Sequence, residues 1–147
     1  MSNHRVSFET TLYVRDHCLC LAAQRAARRL ARRFDEVLKP VGITSGQFSL
    51  LMSFNRPEPP TIGAVASLLA MDRTTLTANL KPLQRRGLIS LVADDKDRRS
   101  RRIRLEDPGM AVLNAALPIW IDTHAKIDSE VGADQVTALR GGLRVVA

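Results

Sequence analysis

Ten lysines and arginines but only three acidic residues lie between Arg73 and Arg104, a local net charge of +7. The residues that follow carry the opposite sign: from Leu105 onward three basic residues face six acidic ones, a net of −3. The positive charge is therefore local, and six of the ten basic residues fall in two groups with polar neighbours. Arg73, Thr74, Thr75, Thr77, Asn79 and Lys81 form the first; Lys96, Arg98, Arg99 and Arg101, with Asp97 among them, form the second. Guanidinium and ammonium groups neutralise phosphates, and arginine can also grip a guanine edge with two parallel hydrogen bonds. Threonine hydroxyls and asparagine amides can address bases or phosphates. A polyanion is the partner such a stripe implies, and a merely solvated basic face is the alternative that charge alone leaves open.

Covalent chemistry is poorly supported. The chain has no nucleophile elbow, no P-loop, no metal-ligand cluster and no acid–base pair at useful spacing, so neither an enzyme nor a cofactor is expected. His17, Cys18 and Cys20 are candidate metal ligands by type, but a helix would spread them over two faces. No apolar run approaches the roughly 18 residues that span a bilayer, and Met1–Thr11 lacks the apolar stretch of a secretory signal. Two cysteines are too few for a disulfide framework, which points to the cytoplasm.

The elements that must position these residues can be read from periodicity. Leu19, Ala23, Ala26, Leu30, Phe34, Val37 and Val41 recur in steps of three and four and predict one helix over about 12–41. Thr44 and Gln47 make a capping box for a second helix carrying Phe48, Leu51 and Met52. After a proline-rich loop at 55–60, Thr61 caps a short helix with Ile62, Val65, Ala66 and Leu69. Asp72 caps another, with Leu76, Leu80 and Leu83 on its apolar face, which runs through Pro82 and ends at Gly87. Residues 88–93 and 101–105 read as two strands around a charged tip. Asp107 and Pro108 predict an N-cap and first turn for a long helix. On it Met110, Leu113, Leu117, Trp120, His124, Ile127 and Val131 form a seam one helix wide. Pro118 should kink that helix. A last helix from Ala133 is weakened by Gly141 and Gly142. Aromatic residues are 4% of the chain, so the core must be mainly aliphatic.

A short helix, a tight turn and a second helix from Asp72 form a helix-turn-helix. Its second helix would present Arg73 to Thr77 to the major groove. The hairpin beyond it would reach a minor groove, where negative potential concentrates.

At this point the sequence resembles a family. Met71-Asp72-Arg73-Thr74-Thr75-Leu76-Thr77, Leu83-Gln84-Arg85-Arg86-Gly87-Leu88-Ile89 and Asp97-Arg98-Arg99 look like the recognition helix, its exit and the wing of MarR-type (multiple antibiotic resistance) regulators. Thr44 to Leu51 resembles the opening of that family's second helix. The resemblance implies a mainly α, winged helix-turn-helix chain of one domain, 1–147. It has a DNA-binding lobe at about 44–106 and dimerisation helices at about 12–41 and 108–147. It implies a homodimer on a pseudo-palindromic double-stranded operator, usually as a repressor, with Arg99 in the minor groove and Asp97 orienting the wing. Two departures stand out. Ala78 stands where relatives often carry arginine, and Leu105-Glu106 replaces Leu-Thr, with Asp107 expected to supply the cap.

The resemblance also implies release by a small aromatic or anionic ligand, or by thiol oxidation. For the ligand, His17, Leu21, Phe48, Met52 and Trp120 are the candidate walls. For oxidation, Cys18 and Cys20 are the candidates, with Arg15 or Arg25 able to lower a thiol pKa. On one continuous helix, residues two apart point about 200° from each other and could not bridge. Other roles stay open: small packing residues for the two cysteines, and seam residues for Trp120 and His124. The functional alternative is a non-specific architectural or RNA-binding protein using the same stripe, against which the few aromatics argue.

Overall fold

The computed structural model describes residues 5–147. It is mainly α with one two-stranded antiparallel hairpin, in the order α1 (Phe8–His17), α2 (Leu19–Leu38), α3 (Ser45–Phe54), α4 (Ile62–Leu68), α5 (Arg73–Arg85), β1 (Ile89–Ala93), β2 (Arg101–Leu105), α6 (Asp107–Val131) and α7 (Ala133–Val146).

The predicted first helix is two helices. Cys18 closes α1 by donating its N–H to the Val14 carbonyl at 2.9 Å. Its ψ of 107° is extended, and its thiol then caps α2 by accepting from the Leu21 N–H at 3.4 Å. No glycine or proline marks this break, so hydrophobic periodicity runs straight across it. Cys18 is outside both helices, so the two cysteines do not share the continuous helix that would keep them from bridging. None of α1's residues is buried.

Further along, local chemistry and structure agree closely. The Thr44 capping box forms with both its hydrogen bonds, and Asp35 of α2 adds a third acceptor for α3, taking the Ser45 N–H at 2.7 Å. The core is built where α2, α3, α4, α5 and α6 converge. Leu38, Leu51, Phe54, Val65, Leu76, Leu80, Leu83 and Ile103 are sealed from solvent. Phe34, Phe48 and Phe54 contribute more of this core than the low aromatic content suggested. α5 continues through Pro82, and Gly87, with φ of 71°, lets the chain leave it in a left-handed turn.

The hairpin pairs Ile89 with Leu105 and Leu91 with Ile103. The proline-rich loop adds a further rung, since the Ile103 N–H donates to the Pro60 carbonyl at 2.9 Å. α6 begins one residue earlier than expected. Glu106 holds the cap position, its side chain bonded to Ser90 and not to the helix, and Asp107 is already helical.

The seam on α6 is largely spent within the chain. Leu113 and Ile127 are buried, and Trp120, His124 and Val131 are half-buried against neighbours on α2 and α3. A forked ion pair between Arg33 and Glu130, both contacts at 2.7 Å, ties α2 to the end of α6. It holds Glu130 below the usual carboxylate range and raises Arg33. Met110 and Leu117 of the seam stay exposed, and the rest of the uncovered apolar surface lies mainly on α1, the start of α2, and α7. Phe8, Tyr13, Val14, Leu19, Leu139 and Leu143 are all exposed, along with Ile121 on the outer face of α6.

Two glycines in helices report opposite constraints. A Cβ on Gly109 would collide with the Leu88 carbonyl oxygen and lie 2.7 Å from Leu105 Cδ1, so backbone would have to move. A Cβ on Gly46 would meet only Thr44 Oγ1 at 3.9 Å. Gly109→Ala is expected to destabilise by about 1–3 kcal/mol or more through overpacking. Gly46→Ala should stabilise by up to about 1 kcal/mol through helix propensity. Denaturant unfolding of the two variants checks both signs.

Candidate nucleic-acid interface

The turn between α4 and α5 is fixed by backbone hydrogen bonds. Met71 N–H reaches the Ala66 carbonyl at 2.9 Å, and Ala70 adopts a positive φ of 50°. Asp72 then caps α5 with both carboxylate oxygens, accepting the Thr75 N–H at 2.8 Å and the Thr75 hydroxyl at 2.7 Å. The Thr75 backbone bond, followed by its hydroxyl, holds the Asp72 carboxyl below its usual range. Thr75's proton is thereby committed to the cap. What Thr75 can offer a partner is its methyl group and an acceptor, not the donor that its residue type suggests.

With Leu76, Leu80 and Leu83 buried, helical geometry turns Thr74, Ala78 and Arg85 furthest outward, with Lys81 next. Arg73 and Asn79 lie on the two flanks. Arg73 leans towards α4, with its guanidinium over Gly63. Asn79 leans towards the turn, its amide 3.9 Å from Met71 Sδ. Thr77 is exposed beside Arg73. Ala78, the departure from the family's pattern, thus stands at the middle of the exposed face.

The wing has an ordered tip and a clasped base. At the tip Asp97 Oδ1 accepts the Arg99 N–H at 3.0 Å, and the Asp97 carbonyl accepts the Ser100 N–H at 3.0 Å. At the base is a feature that sequence reasoning missed. Asp94 is buried, accepts the Lys96 N–H at 3.2 Å, and pairs with Arg102 Nε at 3.2 Å. Arg102 Nη1 also donates to the Pro59 carbonyl at 2.7 Å, clamping the hairpin to the proline-rich loop. The Lys96 backbone bond, with Arg102 behind it, holds Asp94 below the usual carboxylate range. Lys96, Arg98, Arg99 and Arg101 stay exposed. Of the ten basic residues between Arg73 and Arg104, only Arg102 takes part in an ion pair among the described residues.

A second candidate site lies behind the helix-turn-helix. A cleft of about 300 Å³ opens between α2, α3 and α6, walled by Leu30, Phe34, Phe48, Ser49, Trp120 and His124. Trp120 stacks near Phe48 (centroids 6.0 Å apart) and tilts against His124 at 4.2 Å. Phe34 covers the other side of His124 at 4.9 Å. His124 Nδ1 is buried and has no hydrogen-bond partner among the described residues. Burial pushes this imidazole below its ordinary value, with Asp128 opposing. Among the described residues no Lys or Arg lines the cleft.

Of the five expected wall residues, the structure gathers Phe48 and Trp120 here and leaves three outside. His17 is exposed, stacked on Tyr13 at 4.0 Å and bonded to the Tyr13 carbonyl at 2.8 Å. Leu21 sits near the start of α2, and Met52 is exposed on α3. His124 takes their place, serving both the seam and the cleft. Cys20 is exposed, with the Gln24 amide donating to its sulfur at 3.3 Å. Arg15 forks onto Asp16, at 2.7 and 3.1 Å, and so is already engaged.

Residues 41–100, from the approach to α3 to the wing tip, match the MarR family. The transcriptional regulator MosR of M. tuberculosis, solved in complex with DNA, is 32% identical. The match covers 88% of this chain and 98% of that one, with a TM-score of 0.74. The transcriptional repressor CouR bound to p-coumaroyl-CoA is 25% identical over 90% of this chain and 94% of its own, with a TM-score of 0.80. The organic hydroperoxide resistance transcriptional regulator of Bacillus subtilis is 28% identical over 69% of each chain. Among the described residues no helix is long and apolar enough to cross a membrane.

Arg99→Ala should weaken DNA binding on every sequence and shallow the slope of log K against log salt by about 0.9 per lost phosphate contact. Arg102→Ala should also weaken binding, because it frees the base of the wing, but with a smaller change of slope. Filter or gel binding from low to high salt separates the two. A second expectation concerns pH. The folded state binds a proton at His124 less readily than the unfolded chain does, so stability is lost as pH falls below the ordinary value of 6.5. His124→Gln should flatten that part of the stability–pH curve.

Proposed function

The chain belongs to the MarR family, and from that premise we propose that it is a homodimeric, sequence-specific repressor of transcription, released by a small aromatic ligand. The observation that carries the DNA half is the unneutralised charge. Nine basic residues of the recognition helix, its exit and the wing have no carboxylate partner among the described residues, and they lie within one short stretch of chain. Free cations spread over a recognition helix and a clamped wing suit a duplex, in which a groove and the flanking phosphates are met together. Bare DNA-neutralising capacity would also serve an architectural protein. The outward polar face of Thr74, Thr77 and Lys81, with Arg73 and Asn79 beside it, favours base readout.

The dimer half rests on the uncovered apolar faces of α1 and α7. Exposed apolar surface on this scale at both ends of the chain marks an association surface. A second copy would bring two recognition helices to half-sites about one helical turn apart, about 34–36 Å on straight duplex.

The effector half rests on the aromatic cleft. It lies between α3, which supports the DNA-reading lobe, and the helices α2 and α6. A planar ligand stacking on Trp120 and Phe48 would spread that junction. The ligand bound to CouR, p-coumaroyl-CoA, carries an aromatic group, which agrees with an aromatic class. Since no cation lines the cleft among the described residues, an anionic group on the ligand would have to stay at its mouth. Thiol oxidation is the second reading, favoured by one observation, the exposure of the Cys20 thiol next to an interhelical break.

Competition binding against random duplex tests the function. A preference for the chain's own upstream region above about 10³-fold supports a specific regulator, and one below about tenfold sinks it in favour of the architectural reading. Trp120 is the only tryptophan in the chain, so its fluorescence reports the cleft directly. Phenols and aromatic acids that dissociate the complex should quench it saturably, and Phe48→Ala should abolish both effects. Dissociation by peroxide that survives in Phe48→Ala but not in Cys20→Ser would assign release to the thiol.

A further inference from the structure

Gly63 is the second residue of α4, and nothing in its backbone calls for glycine. It is helical, and it is absent from the residues with positive φ. In such a place alanine is the better helix former. What occupies the missing side chain's space is Arg73. A Cβ on Gly63 would lie 2.5 Å from Arg73 Nη2, 3.3 Å from Cζ and 3.6 Å from Nε, so the guanidinium rests where a methyl group would stand. Arg73 also makes no side-chain hydrogen bond and no ion pair among the described residues. Its five donors are therefore uncommitted, while packing against α4 limits the directions its head can take.

We propose that Gly63 is a positioning residue for base recognition: it seats the Arg73 guanidinium at the mouth of the helix-turn-helix and so sets which base pair that arginine addresses. This rests on the reading of Arg73 as a base-contacting residue. An arginine already aimed loses less freedom when it grips a base, and bidentate contact with a guanine tolerates little error in direction. Gly63 itself touches no nucleic acid. Its influence passes through Arg73 alone, which gives the pair a signature that a general packing role lacks.

The test uses the full chain and a pool of duplexes carrying randomised sites, with base preference at each position read from the selected sequences. Arg73→Ala should relax preference at one position of each half-site by about tenfold, within the range of a single bidentate contact. Gly63→Ala should relax or change preference at that same position by a similar factor. Its binding to random duplex, its salt slope and its thermal midpoint should be unchanged or, for the midpoint, raised. In the Arg73→Ala background Gly63→Ala should add nothing. If Arg73→Ala relaxes preference and Gly63→Ala does not, the seat is refuted while the reading of Arg73 survives. If Arg73→Ala leaves every preference intact, that reading fails and the seat fails with it. A fall in the midpoint of Gly63→Ala that Arg73→Ala does not restore would show backbone damage instead of a displaced guanidinium, and would also overturn the proposal.

Discussion

One backbone carbonyl, that of Leu88, sits where three parts of the molecule meet. Its residue's N–H closes the exit of α5 by donating to the Leu83 carbonyl at 3.0 Å, and its oxygen accepts the Glu106 N–H at 3.0 Å. Gly109 packs directly against that oxygen. The end of the recognition helix, the root of the wing and the first turn of α6 are therefore bound to one another within a few residues. No side chain fits between them. The price of the arrangement is a glycine in the first turn of a long helix, tolerated because it lets the two backbones touch. Through this joint the first turn of α6 is held against the exit of α5 and the root of the wing.

Charge is distributed unevenly about this joint. Behind the joint some charges pair, Arg33 with Glu130, Arg140 with Asp128 and Lys126 with Asp122, while Arg25, Arg28, Arg29 and Arg32 of α2 have no ion-pair partner among the described residues. Such exposed pairs contribute little stability individually. Ahead of the joint the basic residues repel one another with almost no compensation. Asp94 and Arg102 are the exception, and they are used to fix the base of the hairpin. A loop of mutually repelling cations would otherwise splay. Clamping its root, while ordering its tip through Asp97, keeps that charge in one place.

Legibility of the sequence followed the range of the interactions. The caps at Thr44, Thr61 and Asp72 are contacts between residues three apart, and side-chain type alone predicts them. The turn signals at Gly42 and Gly87 are equally local. The break at Cys18 was hidden because a thiol is an unusual cap and periodicity continues across it. The start of α6 slipped by one residue because Asp107 has the better capping chemistry, yet Glu106 is held by Ser90 across the hairpin. Asp94 and Asp95 are indistinguishable until strand register turns one inward. The seam on α6 reads from sequence as a helix-packing surface, but sequence could not say that the chain's own α2 and α3 would use most of it. The same ambiguity affected the cleft. Phe48 and Trp120 meet there because α3 and α6 do, whereas His17, Leu21 and Met52 belong to other surfaces, and His124 enters through its place on the seam.

α1 offers a different kind of consequence. It is ten residues long, contains no buried side chain, and is separated from α2 by a residue in extended conformation. A helix of that length is marginal in water on propensity alone. Its order is therefore borrowed from whatever surface it lies against. The backbone amides of α1 should exchange with solvent on a timescale set by that docking and not by the unfolding of the core. In the dimer proposed above, the helicity of this segment would depend on protein concentration, and dilution would melt it before the core.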